Sequence, residues 1–137
     1  MLNTLQNPLS LIGRLLLAWF FIPAGIAKIG GFAGTVGYAS SMGMPLPQVA
    51  VAVGLLIEIF GGLALLLGWG ARWAALVLAF FTLVTSIVFH AYWAVPAEQQ
   101  RVTQLLFNKN IAVIGGLLVL AAFGAGAWSV DGKRAVK

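Results

Sequence analysis

The sequence predicts an all-α protein, a four-helix transmembrane bundle with short interfacial segments on its outer side. Of its 137 residues, 61% are hydrophobic and only 8% are charged, whereas a soluble domain typically carries about 25% charged residues. The apolar residues fall into four runs, 9–29, 46–68, 72–94 and 110–128, each long enough to cross a bilayer. The remaining residues are too few for a soluble catalytic domain, so we expect a single membrane domain over residues 1–137.

The ends of these runs carry residues that start or stop helices. Pro8 suits the first turn of the first helix, and Pro45 and Pro47 mark the start of the second. Gly68 and Gly70 separate the second run from the third, which predicts a tight turn within an antiparallel helical hairpin. The residues before Pro8 include no Lys or Arg, so we expect a retained first helix rather than a cleavable signal peptide.

Two longer connections are predicted on the outer side. Residues 30–45 mix aromatic residues and methionines with glycine and serine, and residues 96–107 have an apolar face. Both patterns are typical of short segments that lie at the membrane interface. We expect them to form a lid over the outer end of the bundle.

The distribution of basic residues predicts the orientation of the bundle. Five basic residues fall on one side and three on the other: Arg14, Arg72, Lys133, Arg134 and Lys137 against Lys28, Arg101 and Lys109. Because basic residues concentrate on the cytoplasmic side, both termini are predicted to lie in the cytoplasm.

The composition excludes several classes of site and partner. The chain has no cysteine, so it cannot form disulfides, iron–sulfur clusters or thiolate metal sites by itself. Its single histidine, His90, excludes bis-histidine haem ligation within one chain and is too few for a typical metal site. The net charge of +5 is spread along the chain, so we expect no nucleic-acid partner. Phosphate-loop and serine-nucleophile motifs are absent from the sequence.

Glu58 is the most informative residue because it is the only charged residue in the second apolar run. A carboxylate at the centre of a bilayer is costly unless it is paired, protonated or facing a wet cavity. Gly54 and Gly61 share its helical face, which predicts that this face packs against the bundle. The helix rise places Arg14 within reach, so we predict an Arg14–Glu58 ion pair, whereas Lys28 is expected to extend to the head groups.

This pair has two interpretations. It is either a purely architectural link between the first and second helices, or Glu58 is a proton-exchanging or ligand-binding carboxylate whose charge state Arg14 controls.

A second polar group is expected near the outer end of the bundle. It comprises Lys28, His90, Lys109 and Asn110, bordered by Tyr38 and Trp93. Such a mixture of cations and aromatic rings could accept an anionic or quinone-like head group. The alternative is a belt of interfacial side chains that anchors the bundle among lipid head groups.

The order of short motifs along nearly the whole chain resembles that of the DoxX family of small four-helix integral membrane proteins. The motifs are Gly13 to Ala18 with Gly25 and Lys28, residues 43–45, Glu58 before Gly61 and Gly62, Gly68 and Trp69 before Arg72, residues 89–90 with Trp93, residues 107–111 before Gly115 and Gly116, and residues 129–131.

The resemblance implies a multi-pass protein of the bacterial cytoplasmic membrane and marks a set of polar positions: Arg14, Lys28, Glu58, His90, Lys109 and Asn110. It also implies an accessory or quinone-associated subunit of a membrane redox system, working beside a redox partner protein and without a covalently bound cofactor. The alternatives are a non-enzymatic scaffold or assembly factor, and a small solute carrier, which would require a homo-oligomer. Whether the chain has catalytic activity stays open at this stage.

Overall fold

The computed structural model describes residues 2–135 and consists of helices and short connections. The elements are α1 (Leu2–Gly30), α2 (Phe32–Ser41), α3 (Pro47–Leu67), α4 (Ala71–Phe89), a 3-10 helix (Tyr92–Ala94), α5 (Ala97–Phe123) and α6 (Val130–Ala135). Four of these helices, α1, α3, α4 and α5, are long and apolar enough to cross a membrane. The predicted all-α, four-helix transmembrane architecture is therefore confirmed.

The four spanning helices form two closely packed pairs. α1 packs mainly against α3, α5 packs mainly against α4, and the α3–α4 hairpin joins the pairs. The buried core between them includes Phe21 of α1, Leu65 of α3, Leu78 of α4 and Leu117 of α5. By contrast, α1 and α5 make few contacts with each other, which leaves an open seam along one side of the bundle.

The two ends of the bundle differ in construction. We call the end with the start of α1, the α3–α4 turn and α6 the termini end. We call the end with α2 and the 3-10 helix the α2 end. At the termini end the turn is as tight as predicted, because Gly68 and Gly70 both adopt left-handed backbone conformations, with φ of 66° and 56°. At the α2 end, α2 packs against α3 and α1, and the Tyr38 ring stacks on Phe89 of α4.

The observed helix ends differ from the predicted runs in four places, one of which is the end of α5 at Phe123 instead of residue 128. α5 begins at Ala97 rather than at residue 110, so the predicted interfacial segment 96–107 is mostly its first part. Pro96 precedes its first turn and Gly124, with φ of 83°, follows its last, and no proline lies between them. The third run was predicted to continue to residue 94, but α4 ends at Phe89. α1 begins at Leu2, so Pro8 lies inside the helix instead of in its first turn.

Two glycines allow α1 to approach α3 closely. A Cβ atom on Gly25 would lie 2.7 Å from Cγ1 of Ile59 and 3.1 Å from the carbonyl oxygen of Leu55. A Cβ atom on Gly62 would lie 2.6 Å from Cγ1 of Ile22. Small residues at such contacts let helix backbones come together within a membrane. This contact brings Lys28, one turn beyond Gly25, alongside α3.

Candidate functional site

The buried acid of α3 is paired with a lysine of α1. The ammonium nitrogen of Lys28 lies 2.8 Å from Oε2 and 2.9 Å from Oε1 of Glu58, and donates hydrogen bonds to both oxygens. Glu58 is only 6% exposed, whereas the Lys28 side chain remains partly accessible. The carboxylate is thus kept away from lipid and is paired with a single cation.

The predicted Arg14–Glu58 pair is wrong. Nη1 of Arg14 instead donates to the carbonyl oxygens of Leu65 and Leu66, at 2.8 and 3.1 Å, and Nη2 donates to that of Trp128 at 2.6 Å. The last four carbonyls of a helix have no partner within it, and α3 ends at Leu67. Arg14 therefore binds carbonyl groups at the end of α3, of which that of Leu65 also accepts from the amide of Gly68, and these carbonyls are nearer to Arg14 than the acid.

The expected extension of Lys28 to the head groups is also wrong. The Gly25 contact holds α1 against α3, so Glu58 offers Lys28 a partner inside the bundle. A buried carboxylate without a cation would be strongly unfavourable, and the pair removes that penalty.

The polar residues predicted near the outer end meet around one cavity of about 270 Å³. Its polar lining includes the Lys28–Glu58 pair, and its aromatic lining comes from two spanning helices, α1 and α4, and from α2. The site residues predicted from the sequence that line it are Lys28, Glu58, His90, Lys109 and Asn110. Its aromatic lining residues are Phe20, Phe21, Tyr38, Phe81 and Phe89. We call this space the polar cavity.

Trp93 does not belong to the lining of the polar cavity. It lies in the 3-10 helix and is exposed, and its ring meets those of Tyr92 and Phe107 edge-on, with centroids 5.1 and 5.5 Å away. This aromatic cluster packs the 3-10 helix onto the first part of α5.

Lys109 supplies the uncompensated positive charge of the polar cavity. Its ammonium nitrogen lies 5.1 Å from the centroid of the Phe20 ring, within the range of a cation–π contact. Glu58 neutralises Lys28, and theirs is the only ion pair among residues 4–135. The cavity therefore combines a neutralised pair with one free cation held over an aromatic face.

A chain of hydrogen bonds fixes the α4–α5 wall of the polar cavity. Nδ2 of Asn110 donates to the hydroxyl of Ser86 at 2.9 Å, and that hydroxyl donates to the carbonyl oxygen of Thr82 at 2.6 Å. Thr82 in turn donates to the carbonyl oxygen of Leu78. Thr82 and Ser86 were not among the site residues predicted from the sequence, although their four-residue spacing in an apolar run indicates one polar helix face.

A second, apolar cavity of about 390 Å³ adjoins the polar one between α2, α3 and α4. The two cavities share part of their lining, namely Lys28, Thr35, Phe81, Thr85 and Phe89. The rest of the apolar cavity is formed by side chains such as Met44, Val49, Val53 and Val84. A molecule with a polar ring and an apolar tail could thus occupy both spaces at once.

Comparison with known proteins supports the interpretation of the motifs. The sequence profile of the family described as DoxX matches residues 9–91, which is more than half of the chain. The chain belongs to the DoxX family. No solved structure matches it closely enough to add to this comparison.

Two bacterial relatives resemble the chain over most of its length. It is 44% identical to the inner membrane protein YqjF of Escherichia coli K12 over 124 residues, which are 88% of each chain. It is 35% identical to the inner membrane protein YphA of the same strain, over 90% of this chain and 88% of YphA. The ER-derived vesicles protein ERV29 of Saccharomyces cerevisiae is 27% identical over 82 residues, 60% of this chain and 26% of that protein.

These relatives and the four apolar helices place this DoxX protein in the bacterial inner membrane as a multi-pass protein.

Proposed function

We propose that this DoxX protein binds a quinone-type molecule at the α2 end of its bundle and serves as an accessory subunit of a membrane redox system. The observation that carries the proposal is the junction of a polar, aromatic cavity with an apolar one. The first suits a quinone ring and the second suits its isoprenoid tail. A redox partner protein would supply the electron-transfer groups that this chain lacks.

The polar cavity offers groups that fit a quinone ring. Quinone carbonyl oxygens accept hydrogen bonds, and Lys109 and His90 are donors on one side of the cavity. The rings of Phe20, Phe81 and Phe89 provide apolar faces for the ring of the ligand. With about 270 Å³ this cavity lies near the lower limit of small-molecule sites, roughly 300–1,000 Å³, so it suits a single ring.

The Lys28–Glu58 pair would serve this site by holding a proton donor at the edge that the two cavities share. A bound quinone supplies two-electron redox chemistry coupled to protons, and the chain would bind the ring, exclude lipid from it and keep a protonated ammonium beside it.

Binding of decylubiquinone tests this proposal. We expect saturable binding to the purified protein in mild detergent, measured by isothermal titration calorimetry. Lys109→Gln should weaken it about tenfold or more, because a hydrogen bond from a charged donor contributes about 1.5–3 kcal/mol. Arg101→Gln is the matched control, since it removes an exposed cation from the same helix outside the polar cavity.

Two outcomes would contradict the proposal. One is equal binding by the parent protein and Lys109→Gln, and the other is heat that rises linearly with quinone concentration without saturation. A quinone ring without a tail should bind more weakly than decylubiquinone if the apolar cavity holds the tail.

A second candidate function is a non-enzymatic scaffold, and the contacts of the termini end favour it. There the polar side chains bind backbone groups: Arg14 binds three carbonyls, and the carboxylate of Asp131 accepts hydrogen bonds from the amides of Gly70 and Ala71. Such contacts organise the fold rather than a catalytic site. A well-folded protein without saturable quinone binding would favour this candidate.

We further propose that both termini lie in the cytoplasm, and the absence of cysteine makes this easy to test. Gln99→Cys at the α2 end and Ala135→Cys at the termini end each introduce one exposed thiol. A membrane-impermeant maleimide should label Gln99→Cys in intact spheroplasts and Ala135→Cys only after permeabilisation. The reverse pattern would show the opposite orientation.

A further inference from the structure

The open seam between α1 and α5 forms a groove of about 460 Å³, separate from the polar cavity. Its walls are apolar side chains and glycines: Leu9, Gly13, Leu16 and Leu17 of α1, with Gly116, Val119, Leu120 and Phe123 of α5. Gly124 and Gly126 line its mouth at the termini end. We call this space the seam groove.

The length of the seam groove matches one leaflet of a bilayer. Its lining on α1 extends from Gln6 to Leu17, which is about 16 Å at about 1.5 Å per helical residue. Half of a hydrocarbon core of about 30 Å is about 15 Å. The groove therefore runs from the membrane surface to the middle of the bilayer, the path that one acyl chain follows.

A free cation, Arg72 of α4, lies beside the mouth of the seam groove without being part of its lining. A Cβ atom on Gly124 would lie 3.1 Å from Nε and 3.3 Å from Nη2 of Arg72, so the guanidinium rests against the glycine that lines the mouth. Arg72 is exposed and takes no part in the ion pair formed by residues 4–135. The acid at this end, Asp131, is engaged by the amides of Gly70 and Ala71.

A second cation, that of Arg14, lies along the seam groove. Arg14 lines the groove and is 1% exposed. Within the described part of the chain, its Nε is the only buried side-chain nitrogen or oxygen atom without a hydrogen-bond partner. Lys133 and Arg134 of α6 are also exposed at the same end. The termini end, where the mouth opens, is thus net positive, with Arg14, Arg72, Lys133 and Arg134 against Asp131, and it complements an anion.

We propose that the seam groove binds an anionic phospholipid, with the phosphate beside Arg72 and one acyl chain between α1 and α5. The charge of the mouth selects an anionic head group over a zwitterionic one, and the leaflet length of the groove selects an acyl chain. This site is at the opposite end of the bundle from the polar cavity, so it is independent of the proposed quinone site.

Titration with phosphatidylglycerol and phosphatidylcholine tests the head-group part of the proposal. We expect native mass spectrometry in mild detergent to show one phosphatidylglycerol bound with clear preference over phosphatidylcholine. Arg72→Gln should weaken phosphatidylglycerol binding about fivefold, the effect of about one basic contact at an anionic lipid surface. Arg101→Gln, an exposed arginine at the α2 end, should leave binding unchanged. Equal binding of the two lipids would overturn the proposal.

Substitutions of two neighbouring glycines of α5 test whether the seam groove holds an acyl chain. Gly116 lines the seam groove and has room for a side chain, because the nearest atom to its Cβ position, Cδ2 of Leu17, is 3.8 Å away. Gly115 has nothing within 4 Å and does not line the groove. Gly116→Leu should abolish binding of phosphatidylglycerol, whereas Gly115→Leu should leave that binding unchanged. Water-soluble glycerol phosphate should not compete with the lipid.

Three results would overturn this part of the proposal. They are equal lipid retention by Gly116→Leu and Gly115→Leu, competition by glycerol phosphate alone, and a dimer in the parent protein that Gly116→Leu alone dissociates. The last result would assign the seam groove to a second copy of the chain.

Discussion

Lys28→Met should lower the free energy of unfolding of this DoxX protein by about 3 kcal/mol. The substitution leaves the Glu58 carboxylate, 6% exposed, without the cation that donates to both of its oxygens. Removing one partner of a buried ion pair typically costs about 3–5 kcal/mol, and the adjoining polar cavity places the effect at the lower end of that range. Unfolding in mixed detergent micelles, followed by circular dichroism, measures the change.

The double variant Lys28→Met/Glu58→Gln should recover most of that loss, because no buried charge is then left without a partner. Lys109→Met is the matched control, since it removes an exposed lysine that takes no part in the ion pair. Strictly additive losses in the double variant would show that the two side chains are not energetically coupled, contrary to the structure.

The sequence was sufficient to predict the four spanning helices and the turn between α3 and α4. Hydrophobic runs of membrane length specify spanning helices almost directly, because backbone groups in lipid must bond within their own helix. Gly68 and Gly70 specify the turn because their left-handed conformations disfavour other residues. The start of α5 was less predictable, because residues 97–109 are too polar to look like a span yet continue the helix without a break.

The partner of Glu58 was not predictable from depth alone. Both Arg14 and Lys28 lie on the face of α1 that turns inward, but Arg14 meets α3 about two turns from Glu58. The choice depends on the carbonyls at the end of α3 and on the chain after Gly124, which returns past α1 and brings the Trp128 carbonyl to Arg14. Contacts between a side chain and a distant backbone leave no pattern in a single sequence.

The residues that line the polar cavity could be predicted in part from the sequence. Lys28, His90, Lys109 and Asn110 could be placed at similar depths by counting residues, and the structure puts all four around one cavity. Trp93 was grouped with them by the same count, but the break after Phe89 turns it into the 3-10 helix and away from the lining. The apolar cavity depends on how α2 packs on α3, which is a tertiary feature without a sequence signal.

Arg14→Met should destabilise the termini end more than any change of an exposed basic residue. Arg14 is 1% exposed and donates to the carbonyl oxygens of Leu65, Leu66 and Trp128. The carbonyl of Leu65 keeps the Gly68 amide as a donor, whereas those of Leu66 and Trp128 lose theirs. Each acceptor left without a donor costs about 1–3 kcal/mol, so we expect a loss of about 2 kcal/mol or more, partly offset by removal of a buried charge. The same detergent unfolding experiment measures it.

Hydrogen exchange can show where this loss arises. In Arg14→Met we expect faster exchange of the backbone amides of the last turn of α3 and of residues 124–131, with little change at the α2 end, because Arg14 connects only the former segments. Arg134→Met, an exposed arginine of α6, is the matched control and should leave exchange unchanged. Arg14→Lys should fall between the two, since one ammonium cannot reproduce a planar fork that reaches carbonyls on opposite sides. Uniformly faster exchange throughout the bundle would show instead that Arg14 supports the whole fold.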